Sequence, residues 1–273
     1  MTNSIPRIAV GVLAAALLAG CQRDAAPPSS QAQAPQAANT VPAAPVALED
    51  VVETRSDYII GITYPKSAAA HPGLAQALQA YANAARSKLM QAVAGLKGVK
   101  PSAPYDLSLQ FTGLLDTPAL VVVAADGSSY TGGAHGNPLV ARFVWLPPQK
   151  RMLTAEALVP DKAGWQAISD ASREQLMTLL SQRLDGDDLA PADYAGQLQS
   201  GSKAIADGTA PDASNFSEFE PVVDADGRIR ALRFVFPPYQ VGSYSDGTRT
   251  VDIPAATLLP VVDPQYRSLF RGG

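Results

Sequence analysis

Cysteine and histidine are scarce in this 273-residue chain, which contains one cysteine and two histidines. A single cysteine allows no disulfide within the chain, so the fold must depend on a hydrophobic core. Zinc sites usually draw several ligands from histidine and cysteine. Because the only histidines are His71 and His135, we expect no metal site.

Positive charge is also limited, with 21 Lys and Arg against 25 Asp and Glu and a formal net charge of −4. Nucleic-acid-binding domains usually carry a basic patch or stripe, and none is present, so we expect no nucleic-acid partner. After the first 20 residues, no apolar run is long and pure enough to span a bilayer.

The motifs of the common enzyme classes are missing. The chain has no Gly-x-Ser-x-Gly sequence, no complete Ser-x-x-Lys set, no P-loop and no Rossmann glycine run. Asp224 and Asp226 suggest a calcium loop, but such a loop needs an acidic residue at its twelfth position, where Val235 stands. We therefore expect no cofactor and no catalytic residue, with His135 as the one candidate acid or base.

The N-terminus has the pattern of an export signal. Arg7 precedes the apolar run from Ile8 to Ala19, which is too short to span a bilayer. Leu18-Ala19-Gly20-Cys21 resembles the lipobox of bacterial lipoproteins, in which cleavage precedes the cysteine and the cysteine is then acylated. The resemblance implies that residues 1–20 are a signal peptide and that Cys21 attaches the chain to a membrane. A short anchor helix with an incidental cysteine is the alternative.

The residues after Cys21 predict a location and a spacer. In that lipoprotein family an aspartate after the cysteine retains the protein in the inner membrane, so Gln22 favours the outer membrane, facing the periplasm. Residues 21–48 are dominated by Ala, Pro, Ser and Gln. Such a segment buries too little apolar surface to offset its chain entropy, so we expect a disordered linker.

The remaining residues predict an α+β fold with two small mixed subdomains and largely antiparallel sheets. Residues 49–127 read as an N-terminal domain, with a strand at 57–64, a helix starting at Pro72, strands at 107–111 and 120–125, and a turn at Asp126-Gly127. Residues 128–273 read as a C-terminal domain. Its predicted elements are a strand at 139–146, a helix at 165–184, a polar stretch with at most a short helix near 194–198, a hairpin at 219–236, a strand at 248–253 and short helices at 255–259 and 266–270.

Two segments stand out as candidate binding regions. In Tyr130-Thr-Gly-Gly-Ala-His-Gly136, Gly132 and Gly133 permit positive φ angles and close backbone approach. Backbone N–H groups there could bind an anion, or His135 could act as an acid or base. The alternative is structural: His135 bonds a neighbouring strand and the glycines shape a tight crossover.

The second segment is Phe234 to Tyr244, in which Tyr239 and Tyr244 lie near two prolines. Exposed tyrosines of this kind can stack on sugars or peptides. Alternatively, both tyrosines pack over the end of a sheet. The candidate binding residues are therefore Gly132, Gly133, His135, Tyr239 and Tyr244.

These two motifs together resemble the RsiV-like family of bacterial envelope proteins. The resemblance rests on Thr131-Gly-Gly-Ala-His135, followed by Phe236-Pro-Pro-Tyr239, Val241, Tyr244 and Gly247, and covers roughly residues 50–270. The family includes a membrane anti-sigma factor whose outer domain binds lysozyme, and a member in which a related domain precedes a peptidoglycan deacetylase domain. We expect neither sigma-factor control nor deacetylation here, because the chain shows no cytoplasmic segment before its anchor and no room for a deacetylase domain.

The resemblance and the missing catalytic motifs favour a non-enzymatic envelope lipoprotein. Its expected partner is a lysozyme-like muramidase or a cell-wall component such as peptidoglycan. Two alternatives remain open: a periplasmic enzyme that acts on envelope material through His135, and a structural lipoprotein that only tethers.

Overall fold

The computed structural model describes residues 47–273, so the predicted signal peptide, Cys21 and most of the linker lie outside the described residues. Two sheets form the framework. The first sheet contains six strands: β1 (Val51–Thr54), β2 (Tyr58–Thr63), β3 (Tyr105–Asp116), β4 (Val121–Tyr130), β5 (Asn137–Leu146) and β6 (Arg151–Met152). The second contains three: β7 (Phe219–Val223), β8 (Ile229–Phe236) and β9 (Arg249–Pro254).

In the described part of the chain, six α-helices accompany the sheets: α1 (Pro72–Gly95), α2 (Ala155–Leu158), α3 (Gly164–Gly186), α4 (Pro191–Gly208), α5 (Ala255–Leu258) and α6 (Pro264–Arg267). Short 3-10 helices lie at Lys66–Ala70, Ala213–Phe216 and Tyr244–Asp246. Mixed elements with largely antiparallel pairing confirm the predicted α+β class. Within residues 47–273, no helix combines the length and the apolar character that crossing a bilayer requires.

The first sheet has its strands in chain order, and only β2 and β3 pair in parallel. Parallel pairing needs a crossover connection, which α1 provides. Pro72 suits the first turn of this helix because its missing N–H would have no partner there. Leu74, Leu78 and Leu89 recur on one face of α1 and are fully buried in the same core as sheet residues such as Ile60.

The predicted turn at Asp126-Gly127 is wrong, because both residues lie inside β4. Gly127 pairs with Leu109 of β3, and a Cβ atom at this glycine would lie 2.0 Å from the Ser108 carbonyl oxygen. The glycine therefore allows close strand contact and does not mark a turn. The expected domain boundary between residues 127 and 128 also falls within this strand, and the sheet continues to Met152.

The second sheet packs with α3 and an aromatic core that includes Trp165, Phe216 and Phe234. The predicted hairpin between β7 and β8 is confirmed, as are the predicted helix over α3 and the short helix α5. The last short helix, predicted at 266–270, lies earlier in the chain, at Pro264–Arg267.

The stretch predicted to be mostly irregular instead contains the 18-residue helix α4. This helix contains three glycines, one of them its last residue, and glycine has a low helix propensity. For this reason the sequence pattern does not predict the helix. One of these glycines, Gly201, allows α4 to approach α3 closely, because a Cβ atom there would lie 2.7 Å from Leu180 Cδ2. Helix packing, and not local propensity, therefore explains this element.

Candidate functional site

The glycine-histidine loop connects the antiparallel strands β4 and β5. Gly132 and Gly133 adopt φ angles of 97° and 103°, in a region that side-chain-bearing residues rarely enter. A Cβ atom at Gly133 would meet nothing within 4 Å. The glycine at this position is therefore needed for its backbone conformation and not for close packing.

Two hydrogen bonds lie within the loop, and one of them involves the histidine ring. The Tyr130 hydroxyl donates to the Gly133 carbonyl oxygen at 3.2 Å, and Nδ1 of His135 lies 3.2 Å from the Gly136 carbonyl oxygen. Since a carbonyl can only accept, we assign the proton of this bond to Nδ1. The same neutral tautomer leaves Nε2 as an acceptor, and the Tyr239 hydroxyl lies 2.9 Å from it.

Tyr239 lies in the turn that follows β8 and has a positive φ of 75°. A non-glycine residue in this region is strained, and such strain persists only where surrounding contacts impose it. Here Gln240 imposes it: its side-chain amide donates to the carbonyl oxygens of Gly208 at 3.0 Å and Asn215 at 2.8 Å. The turn is therefore anchored to the rest of the protein while the Tyr239 side chain points outward and is 57% exposed.

Tyr244 begins the 3-10 helix that precedes β9, and a capping box formed by Ser243 and Asp246 holds that helix. The Tyr244 ring stacks on His135 with a centroid distance of 3.8 Å and an interplanar angle of 12°. The Tyr239 and Tyr244 rings are 5.7 Å apart. We call His135, Tyr239 and Tyr244 the aromatic cluster.

His135, Tyr239 and Tyr244 therefore come together at one surface, although His135 and Tyr239 are 104 positions apart in the chain. Gly132 and Gly133 lie in the loop that carries His135. Both tyrosines contact His135 in the β4–β5 loop and remain partly exposed, Tyr244 at 37% and Tyr239 at 57%, and His135 is also exposed. The aromatic cluster therefore exposes its rings to solvent, while hydrogen bonds of Gln240 and the capping box hold the backbone beneath them.

The bonds of His135 do not form a hydrolase arrangement. A nucleophile–histidine–acid site needs a nucleophile on one ring nitrogen and an orienting acid on the other. Among the described residues, His135 instead bonds a backbone carbonyl and a phenol. Residues 47–273 also contain no group of three or more His, Cys, Asp or Glu side chains placed to hold a metal ion.

Next to the aromatic cluster, one carboxylate pairs with two arginines, and no sequence pattern predicts this arrangement. Asp246 Oδ1 forms salt bridges with Arg183 at 2.9 Å and with Arg249 at 3.1 Å, and Arg249 also donates a hydrogen bond to it. Burial alone raises the pKa of the Asp246 carboxyl, but the hydrogen bonds from Ser243, the positive charge of Arg183 and the hydrogen bond from Arg249 together hold this pKa below its ordinary value. No motif links Arg183 on α3 to a loop so much later in the chain, so only the fold shows this arrangement.

Among known proteins, this chain is similar to solved structures but not to any family model or curated sequence. No protein-family model matches the chain, and no curated protein matches it. A DUF3298 family protein from Pseudomonas aeruginosa PAO1 has a similar structure, with a TM-score of 0.51, 18% sequence identity, and coverage of 82% of this chain and 96% of that chain. A DUF3298 family member from Bacteroides fragilis NCTC 9343 gives a TM-score of 0.43 at 13% identity, with coverage of 80% and 94%.

The Pseudomonas likeness supports a shared fold with a bacterial protein of unknown function. It does not assign a ligand or an activity. The RsiV-like resemblance and the roles of the five candidate residues stay predictions.

Proposed function

We propose that this chain is an envelope lipoprotein, anchored through acylated Cys21 in the outer membrane and facing the periplasm, whose folded part has a non-enzymatic binding role. Its partner is a lysozyme-like muramidase or a cell-wall component such as peptidoglycan. The observation that carries the binding role is the exposed stack of His135 and Tyr244 beside Tyr239. The lipobox pattern of residues 18–21 supports the anchor.

The chemistry of the aromatic cluster suits this class of partner. Tyrosine has an apolar ring face that stacks on a sugar or an apolar side chain and a hydroxyl that hydrogen-bonds, and for this reason it is frequent in interfaces. The cluster is also held before any partner arrives, through the Gln240 bonds and the capping box. A preorganised surface loses little conformational entropy on binding.

A second candidate function follows from the bond between the Tyr239 hydroxyl and Nε2 of His135. A histidine at 2.9 Å is within reach of the phenolic proton and could act as a general base toward it. The chain would then be a periplasmic enzyme that acts on envelope material. The absence of a carboxylate bonded to His135 among residues 47–273 weighs against this candidate.

Calorimetric titration tests the binding role. The whole chain, purified in detergent, is titrated with lysozyme and separately with soluble muropeptides, and the Tyr239→Ala and Tyr244→Ala variants are compared with it. We expect at least a tenfold loss of affinity in both variants, because each removes a large exposed ring. Tyr194→Ala is the matched control, since Tyr194 lies on α4 and bonds Asp185 outside the cluster.

Two outcomes would contradict the binding role: no heat of binding with either class of ligand, or variants that bind as well as the parent. Hydrolysis or modification of muropeptides that Tyr239→Phe abolishes would favour the enzyme instead. For the anchor, metabolic labelling with radioactive palmitate should mark the chain, and Cys21→Ser should remove the label. A parent chain that stays unlabelled would exclude lipidation.

A further inference from the structure

A cavity of about 450 Å³ lies between α3, α4 and the segment that precedes β9. This volume lies in the range of sites that hold small molecules or short peptides, roughly 300–1,000 Å³. The 3-10 helix at Tyr244–Asp246 separates it from the aromatic cluster: Tyr244 joins the cluster, while Ser245 and Asp246 line the cavity. Nothing in the proposed function uses this cavity.

The lining carries an excess of positive charge. Arg183 and Arg249 face one carboxylate, Asp246, and every other residue of the lining is uncharged. This local excess stands out because the whole chain has a formal net charge of −4. The cavity is therefore complementary to a ligand with a single negative charge.

The two guanidinium groups have capacity for such a ligand. Among the described residues, Arg183 meets Asp246 through Nη1, and Arg249 meets it through Nη2. The other carboxylate oxygen of Asp246 is occupied by the backbone N–H and the hydroxyl of Ser243, each at 2.7 Å. Because each guanidinium has five N–H donors, most remain available, and both arginine side chains are 36% exposed.

Aliphatic and neutral polar groups complete the lining. The aliphatic part includes Leu176, Leu180, Ile205 and Val241. The polar part includes Gln197, Ser200 and Ser245. Aliphatic side chains bind apolar groups, whereas amide and hydroxyl groups can pair with peptide N–H and C=O groups.

We propose that this cavity binds a short peptide through its free C-terminal carboxylate, with an aliphatic side chain placed against the leucine-rich lining. Guanidinium groups bind carboxylates through paired, charge-assisted hydrogen bonds. A phosphate fits less well, because it carries a charge of about −1.5 to −2 at neutral pH and the lining offers an excess of one positive charge. The site is separate from the aromatic cluster and adds a second ligand class.

The test is calorimetric titration of the whole chain in detergent with acetyl-Ala-Leu, whose carboxylate is free, and with acetyl-Ala-Leu-amide, which lacks it. We expect the free acid to bind and the amide to bind at least tenfold more weakly. Arg249→Gln and Arg183→Gln should each weaken binding of the acid at least tenfold. Lys203→Gln is the matched control, because it removes an exposed positive charge of α4 that pairs with Asp207 and does not line the cavity.

A further variant tests the cavity with both arginines in place, and its urea denaturation shows whether it folds as the parent does. Ala204→Phe places a ring in the cavity and leaves both arginines intact, so it should abolish binding of the acid. Three results would overturn the proposal: equal affinity for acid and amide, no heat of binding with the acid at about 10 mM, or unchanged binding in Ala204→Phe. Tyr239→Ala should bind the probe normally, so this test and the test of the aromatic cluster can fail separately.

Discussion

The Tyr239 hydroxyl and Nε2 of His135 lie 2.9 Å apart, although 104 positions separate the two residues in the chain. Each partner is held by its own local structure: His135 by a glycine loop and Tyr239 by a strained turn. Strain of this kind often marks a functional position. The bond therefore joins a loop that requires glycine to a turn that is strained at Tyr239, and the surface they form is the candidate site.

Replacing Gly133 with alanine should destabilise the glycine-histidine loop. Its φ of 103° is open to glycine but strained for alanine, at a cost of about 1–3 kcal/mol. The free energy of unfolding, measured by urea denaturation, should fall by that amount, and ligand binding at the aromatic cluster should weaken. Gly186→Ala is the control, because this residue closes α3 in open space without a positive φ. Equal stability of both variants would contradict the backbone argument.

Replacing Tyr239 with asparagine should separate stability from binding. Asparagine tolerates positive φ better than tyrosine does, so the strain at 75° is partly relieved. We expect a variant at least as stable as the parent in thermal denaturation but with at least a tenfold loss of affinity in calorimetry. A variant that is clearly less stable would show that the Tyr239 ring serves packing more than binding.

Two glycines of α4 should respond differently to alanine. At Gly196 nothing lies within 4 Å, and alanine should stabilise the helix by about 1 kcal/mol. At Gly201 the new methyl group would lie 2.7 Å from Leu180 Cδ2, so the Leu180 side chain must shift, and the cost of this shift should offset the same gain in helix propensity. Urea denaturation of both variants measures the difference between them. Equal stabilisation by the two substitutions would contradict the close packing at Gly201.

Glu218 should make stability depend on pH. Its carboxylate accepts the Arg142 backbone N–H at 2.5 Å, and burial raises its pKa above the ordinary 4.5, with the hydrogen bond from Arg142 opposing this shift only in part. A raised folded-state pKa means that this group favours folding most below pH 4.5, and that the contribution is lost as pH rises through the folded-state pKa. Glu218→Gln keeps an acceptor but cannot ionise.

The Glu218→Gln variant should therefore be more stable than the parent at about pH 7, and the difference should shrink toward pH 4.5. Urea denaturation across this range measures it. Asp212→Asn should behave in the opposite way at neutral pH, because bonds from Ser214 hold the pKa of Asp212 below its ordinary value. A Glu218→Gln variant less stable than the parent at neutral pH would contradict the pKa argument.

The sequence predicts most strands and the two helices α1 and α3, because their apolar residues follow a period of two or 3.6 and prolines or glycines bound them. It misplaces Asp126-Gly127, since a turn dipeptide and a glycine packed against a neighbouring strand look the same in one dimension. It also misses most of α4, whose glycines lower helix propensity but suit contact with α3. In both cases tertiary packing, and not the local sequence, determines the secondary structure.

The sequence likewise predicts part of the candidate site: it identifies the residues but not the contacts between them. Unusual local composition is enough to identify Gly132, Gly133, His135, Tyr239 and Tyr244 as candidates. Nothing in the sequence indicates that the two segments meet, or that Arg183 and Arg249 share Asp246. Pairings between distant residues depend on how α3, α4 and the turns pack, which no local pattern encodes.

The chain order of strands β1 to β6 has a consequence for assembly. Each strand pairs with the one made just before it, so loop closures are short and, in general, such local contacts favour fast folding. The longest delay comes between β2 and β3, where the whole of α1 must first be completed. A chain emerging from its N-terminal end would thus add each strand to the edge formed by the strand before it, and each addition covers the unpaired backbone groups of that edge.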